Sequence, residues 1–338
     1  MFRFHYKYTD HLKYFAELAG MLQVPVHNNT FFLPPHIGTG YVRVTELANG
    51  LQVLINEVTI NEDVHFIRDV SAQNSYTLRF DEITGIDNLT LDMGGNILKE
   101  SRLAYSGAFL TNSLCELAYT ASAGTQDRCV NIYFTEPWLE KNFGIKSTDE
   151  ILSKYLSLKT AVFNFEVLNL EYRQLMEDIF VIKSEYPMQK VIQQNRVMLL
   201  LEKFFKSLYK KIDGSAKTNV TAEDTLKRIM QIESLLVKDL SQSPPTIPLL
   251  ARKAMMSETK LKNVFKEVYG YNIYEYYQKN RMLKARQLLL SHRYSIKEIG
   301  LMLGFQNLSN FSIAYKKEFN ILPSDVQTGV SFVLPQIN

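Results

Sequence analysis

Two stretches of the chain place small polar residues and lysines where they could read and grip a polyanion. In SETKLKNVFKEVYG (257–270) and NLSNFSIAYKKEFN (307–320), a residue suited to capping a helix comes first, Ser257 or Asn307. Apolar or aromatic residues follow at i, i+4, Leu261 and Phe265 or Phe311 and Tyr315, and lysines come after them. With those side chains buried, the first helix exposes Thr259, Lys262 and Asn263 near its start, and the second exposes Leu308, Ser309, Ser312 and Ile313. Lysine and asparagine can donate to guanine or pair with adenine, and threonine can touch a thymine methyl. The second set has no long polar reader, so it is expected to act through apolar contacts. Ser257, Lys266, Asn307, Lys316 and Lys317 are the candidates for phosphate anchoring.

Such residues need helices held in a fixed relation, and the chain supplies a repeat of about 50 residues. IPLLARKAMMSETKLKNVFKEVYG (247–270) aligns with IKEIGLMLGFQNLSNFSIAYKKEFN (296–320), matching Ile247, Leu250 and Ala251 to Ile296, Ile299 and Gly300. Each copy reads as a helix, a turn and a second helix, which is helix-turn-helix organisation. Between the copies, NIYEYYQKNRMLKARQLLLS (272–291) reads as one helix of nearly 30 Å at about 1.5 Å per residue. A strut of that length suits successive major grooves about 34 Å apart. Ser295-Ile-Lys-Glu298 is a capping box that starts the second unit. Residues 241–338 carry 13 Lys and Arg against 6 Asp and Glu, whereas the whole chain is only +3. The basic end is where a polyanion would bind.

These motifs, with RMLKARQLL, SIKEIGLMLGF and YKKEFNILPS, make residues 223–326 resemble the DNA-binding domain of the AraC/XylS family. The resemblance implies seven helices, two helix-turn-helix units, transcription regulation in a bacterial cytoplasm, double-stranded DNA as partner and RNA polymerase as a candidate second partner. It places the base-contacting positions on Thr259, Lys262, Asn263, Ser309, Ser312 and Ile313. The chain departs from the family at Gly300, where alanine is usual, at Tyr315, where phenylalanine is usual, and at Asn320, where glycine is usual. Asparagine tolerates the left-handed cap that glycine ordinarily provides.

Earlier residues read differently. YVRVTELANGLQVLIN (41–56) is a hairpin signal centred on Asn49-Gly50. Alternation recurs at Tyr76, Leu78 and Phe80, and at Cys115, Leu117 and Tyr119 answered by Val130, Ile132 and Phe134 across ASAGTQD. The expected fold class is α+β and multidomain. It comprises a β-rich region over 1–146, a helical hairpin over 147–212, a polar linker over 213–221 and an all-α bipartite helix-turn-helix domain over 222–329. The family resemblance makes the first region a cupin-like sensor barrel for a small-molecule effector. Phe31, Phe32, Tyr41 or Tyr119 could line its interior. In the helical segment Phe165, Leu168, Tyr172, Leu175 and Ile179 fall three and four apart, a seam either for pairing within the chain or for a homodimer.

The remaining chemistry points away from an enzyme. His27, His36 and His65 lack metal-ligand spacing, GIKST (144–148) lacks the upstream glycine of a phosphate loop, and GTGYVR (38–43) lacks the third glycine of a dinucleotide fingerprint. Two cysteines cannot form a disulfide framework or a zinc-bound cysteine cluster. The expectation is therefore no cofactor, no metal and no membrane span. A cupin-like enzyme or carbohydrate-binding module with an accessory DNA-binding domain is the alternative.

Overall fold

A computed structural model describes residues 1–7, 9–71, 73–85, 89–93, 96–100, 105–146, 149–157, 166–182, 188–212 and 223–328. The chain divides into two compact units, residues 1–168 with 183–220, and residues 169–182 with 221–338. Among the described residues no helix is long and apolar enough to cross a membrane.

The first unit begins with β1 (Phe2–Lys7), α1 (His11–Leu22), β2 (Thr30–Phe32), β3 (Gly38–Glu46), β4 (Gln52–Ile60), β5 (Val64–Asp69) and β6 (Ser75–Thr84). It continues with β7 (Leu89–Met93), β8 (Asn96–Glu100), β9 (Tyr105–Asn112), β10 (Leu117–Ala121), β11 (Gln126–Thr135), α2 (Glu136–Phe143), α3 (Glu150–Ser157) and β12 (Glu166–Val167). After α4 (Leu170–Val181), which belongs to the second unit, the chain returns to the first in α5 (Gln189–Ile212). The strands form two sheets, β1-β5-β10-β7-β8 and β12-β9-β6-β11-β4-β3-β2. Every ladder is antiparallel except β1 with β5. The hairpin at Asn49-Gly50 joins β3 to β4, with Gly50 at φ +85° where a side chain would be strained. β10 and β11 are consecutive but lie in different sheets, so ASAGTQD is a crossing between sheets and not a hairpin.

The seven-stranded sheet is buried on both faces. Tyr76, Leu78 and Phe80 of β6 stand opposite Phe134, Ile132 and Val130 of β11, and all six are buried. That face is covered by helices: the Phe134 ring lies 5.6 Å from Trp138 of α2 and 6.3 Å from Phe205 of α5. Side chains alternate along a strand, so Thr77, Arg79 and Asp81, with Asp127, Cys129 and Asn131, belong to the opposite face.

Two sequence expectations are corrected here. Phe32 is 67% exposed, with Tyr41 packed beside it, and Phe31 stacks on Phe15 in the core; of the four aromatics expected to line the interior, Tyr119 does so. The stripe over 165–179, open to pairing within the chain or between two chains, is not one continuous helix. Phe165 lies outside the described residues, Glu166–Val167 pairs with β9, and Asn169 caps α4 by accepting from the Tyr172 N–H. Leu168, Tyr172, Leu175 and Ile179 are all at most 2% exposed within a single chain, so they offer no surface to a second copy.

The second unit is helical: α4, α6 (Glu223–Val237), α7 (Ile247–Ala254), α8 (Glu258–Tyr269), α9 (Ile273–Leu290), α10 (Ile296–Met302), α11 (Leu308–Phe319) and α12 (Pro323–Gln327). α4 packs on α9 through buried ion pairs. Asp178 accepts from Arg286 at 2.6 Å, and Glu233 of α6 accepts from both Arg173 at 2.9 Å and the Tyr276 hydroxyl at 2.8 Å.

Candidate nucleic-acid interface and ligand cavity

The two repeats build the same local structure from different residues. Ser257 caps α8 by accepting from the Lys260 N–H at 3.3 Å, and Asn307 caps α11 by accepting from Ser309 at 2.8 Å. One face of each helix is buried, Leu261, Phe265 and Tyr269 in α8 and Phe311, Tyr315 and Phe319 in α11. Both rows rest on α9; Phe265 meets Tyr276 edge-on at 5.4 Å, while Phe311 and Tyr315 share a core with Met282, Ala285 and Leu289. Both helices end in a left-handed residue, Gly270 at φ +80° and Asn320 at φ +60°, whose N–H returns to the carbonyl of Lys266 or Lys316.

What remains outside is the face that could enter a groove. Thr259, Lys262, Asn263, Ser309 and Ile313 are exposed and Ser312 is half-buried; Ser257, Lys266, Asn307, Lys316 and Lys317 are exposed as well. Lys262 makes an exposed pair with Glu258 one turn earlier, at 3.9 Å. Asn310, in the first turn of α11, is a polar group that the sequence reading left out, although its equivalent in the repeat is the exposed Lys260. Leu308 at 44% and Ile313 at 66% exposure give α11 apolar groups where α8 has Glu258 and Asn263.

The turn of the second unit is pinned from behind. Arg281 of α9 donates to the Leu303 carbonyl and stacks on the Phe305 ring at 4.1 Å. Gly304, at φ +73°, passes so close to the Ser241 carbonyl that an added Cβ would lie 1.9 Å from its oxygen. Gly300 differs: a Cβ there would meet Phe311 at 3.6 Å, ordinary contact.

In the first unit, the second face of the seven-stranded sheet and the facing face of the five-stranded sheet enclose a cavity of about 140 Å³, closed on one side by α1. Register explains its polar wall. Cys129 stands between Asn56 of β4 and Asp81 of β6, Asn131 between Leu54 and Arg79, and Asp127 lies two residues before Cys129. Arg79 holds Asp81 through two hydrogen bonds, of 3.1 and 3.3 Å. Cys129 donates to Asn56 and accepts from the Asn131 amide at 3.1 Å. From the other sheet come Phe66, Arg68 and Tyr119, with Arg68 donating to Thr111 and to the carbonyls of Asn112 and Cys115.

Burial governs ionisation here. It raises the Asp127 carboxyl to about 7, with Asp81 adding repulsion, and lowers the His11 imidazole to about 3, with Arg79 adding to the effect. The Cys129 thiol is pushed up by burial and by the neighbouring carboxylates. Among the described residues, Asp81, Asp127 and Cys129 form the one group whose ligand atoms lie close enough for a metal, within 4.8 Å of one another. The Arg79 guanidinium already supplies a cation to Asp81. His27 and His36 are exposed on the surface, and His65 sits half-buried on β5.

The comparisons concern the second unit above all. Residues 250–329 match the model of a helix-turn-helix domain family. PqrA of Proteus vulgaris is 36% identical over 78 residues, covering 23% of this chain and 64% of that protein. The HTH-type transcriptional regulator ArgR of Pseudomonas aeruginosa is 32% identical over 91 residues, 27% of this chain and 28% of that protein. This chain thus spans less than two thirds of either relative. The virulence regulon transcriptional activator VirF of Yersinia enterocolitica is 23% identical over 214 residues, covering 62% of this chain and 76% of its own. A transcriptional regulator from Chromobacterium violaceum, solved as a crystal structure, is 28% identical, covering 33% of this chain and 99% of its own, at a TM-score of 0.30. With paired helix-turn-helix units on one connecting helix and a family match across both α8 and α11, residues 250–329 of this chain form a helix-turn-helix domain of the AraC type.

Proposed function

We infer that the whole protein is a sequence-specific, DNA-binding transcription regulator, that its β-rich unit senses a small effector, and that it is not an enzyme. One observation carries the DNA reading: two N-capped helices of 12 residues, α8 and α11, flank α9 with buried inner faces and exposed outer faces rich in polar and basic residues. α8 would read base edges through Thr259, Lys262 and Asn263. α11 would add Ser309, Asn310, Ser312 and the apolar Ile313, which suits thymine methyls. Lys266, Lys316 and Lys317, with the N-termini capped by Ser257 and Asn307, would hold phosphates. The cavity supports the sensor role, because a void of about 140 Å³ lined by both apolar and polar groups is what a small ligand fills. Against catalysis, the Cys129 thiol is held protonated and His11 neutral, so neither is poised as nucleophile or base near neutral pH. RNA polymerase is the further partner this role implies. A homodimer would need a surface other than the buried α4 stripe.

The test is selection of duplexes from random-sequence DNA with the full-length protein, followed by titration of Lys316→Ala. We expect an enriched motif with two recognition blocks about one helical turn apart. Lys316→Ala should weaken specific and scrambled duplexes alike and lower the salt slope by about 0.9. No enrichment over scrambled DNA would overturn the reading.

A further inference from the structure

The cavity wall of the β-rich unit carries more hydrogen-bonding capacity than the protein itself uses. Asp127 is 8% exposed and Asn131 3%, yet Asp127 Oδ1, Asn131 Oδ1 and the Tyr119 hydroxyl have no partner within the chain. Buried polar atoms in native proteins are nearly always satisfied, so three orphans bordering one void call for a ligand. They belong to one place. Asp127 and Asn131 share a face of β11, and Asp127 is the charge that acts most strongly on the Tyr119 phenol across the gap between the sheets.

The two arginines on this wall already make hydrogen bonds within the chain. Arg79 is engaged by Asp81, and the terminal nitrogens of Arg68 by Thr111, Asn112 and Cys115. Of the three orphan atoms two are acceptors, and the third, the Tyr119 hydroxyl, both donates and accepts. A carboxylate on the ligand would bring acceptors to acceptors beside two acidic side chains, and an ammonium would sit in the field of two guanidiniums. A hydroxyl meets neither objection, since it donates and accepts through one atom. The rest of the lining is hydrocarbon, including Leu18, Leu33, Ile37, Leu54, Val58 and Phe66. At about 140 Å³ the space is close to that of an engineered apolar cavity, about 150 Å³, known to admit benzene.

The geometry points to a small uncharged alcohol or phenol, with a hydrocarbon body on the scale of one ring, as the molecule this unit takes up, its hydroxyl donating to Asp127 Oδ1 and accepting from Tyr119. This rests on the sensor reading above and adds the chemical class.

Benzyl alcohol, benzoate, benzylammonium and toluene share a body and differ in the head, so they are the probes. Each is titrated into the full-length protein by calorimetry at about pH 8, where Asp127 is ionised, and the effect on affinity for the selected duplex is measured in parallel. Benzyl alcohol should bind at least about tenfold more tightly than the other three. Tyr119→Phe and Asp127→Asn should each cost the alcohol about tenfold, and Asp127→Asn should narrow its lead over benzoate; far-ultraviolet circular dichroism checks that both variants are folded. Preference for benzoate, benzylammonium or toluene, or an unchanged lead over benzoate in Asp127→Asn, overturns the ligand class and leaves the sensor reading standing. Absence of binding by all four probes, with DNA affinity unaffected by any of them, overturns both.

Discussion

Lys262→Ala separates reading bases from gripping the backbone, and its consequences can be worked out for the free and bound states. In the free protein Lys262 has one ionic partner, Glu258, at 3.9 Å, and both side chains are about half exposed. An exposed pair one turn apart on a helix contributes about 0.3–0.5 kcal/mol, so thermal unfolding should barely move. In the complex, a lysine at a guanine edge discriminates by about 1–3 kcal/mol, about 5- to 150-fold in affinity. That loss should fall on the selected duplex and be small on a scrambled one. The salt slope should change little, because a base contact displaces no phosphate counterion. Fluorescence anisotropy on both duplexes at four or more salt concentrations measures all of these quantities. Equal losses on the two duplexes, with the slope lower by about 0.9, would make Lys262 a phosphate anchor and refute its assignment as a reader. A fall of several degrees in unfolding temperature would show that the residue is structural.

Three further outcomes follow from local geometry. Gly304→Ala should cost at least about 2 kcal/mol in denaturant unfolding, because it strains a positive φ and drives a Cβ into the Ser241 carbonyl; Gly300→Ala, facing only ordinary contact with Phe311 inside a helix, should gain about 0.5–1 kcal/mol. Tyr315→Phe removes a fully buried hydroxyl without a hydrogen-bond partner and should stabilise the protein by about 1 kcal/mol; a loss of stability would mean that the hydroxyl is satisfied in solution. The Asp127 carboxyl, raised from 3.8 to about 7 by burial and by Asp81, is protonated in the folded chain over a range where the unfolded chain is ionised. Stability therefore falls as pH rises from about 4 to about 7, by at most about 4 kcal/mol from this group, and Asp127→Asn should flatten that fall in a pH series of urea unfolding curves.

The C-terminal unit was largely legible in the sequence because its signals are local. Caps at Ser257, Asn307 and Ser295, the i, i+4 aromatics and the left-handed Asn320 each act within one or two turns, and the structure uses all of them. The β-rich unit was legible only in part. Alternation marked Tyr76, Leu78, Phe80, Val130, Ile132 and Phe134 as one buried face, and they are. The same alternation puts Arg79, Asp81, Asp127 and Asn131 on the other side without showing that it is buried, because period two says which residues share a side and not what covers that side. A second sheet covers it, and with it the polar wall of the cavity. Histidine spacing pointed to no metal site, whereas the one candidate ligand cluster among the described residues joins β6 to β11 and is close only through strand register. Three-and-four spacing is likewise satisfied by any buried helical stripe, and of the two pairings it left open α4 takes one within the chain, against α9.

The position of α4 bears on how the molecule can be taken apart. The backbone leaves the first unit after Leu168, returns to it at Lys183 and leaves again after Val220, so three covalent connections join the units. Nicking the polar segment at 213–220 would leave two of those connections intact. A truncation beginning at Thr221 would discard α4 and strip Glu233 and Arg286 of Arg173 and Asp178, leaving two charges inside a core without their counterions. Weak DNA binding by such a fragment would then report a damaged fold, and the intact polypeptide is the appropriate unit in which to measure what this domain does.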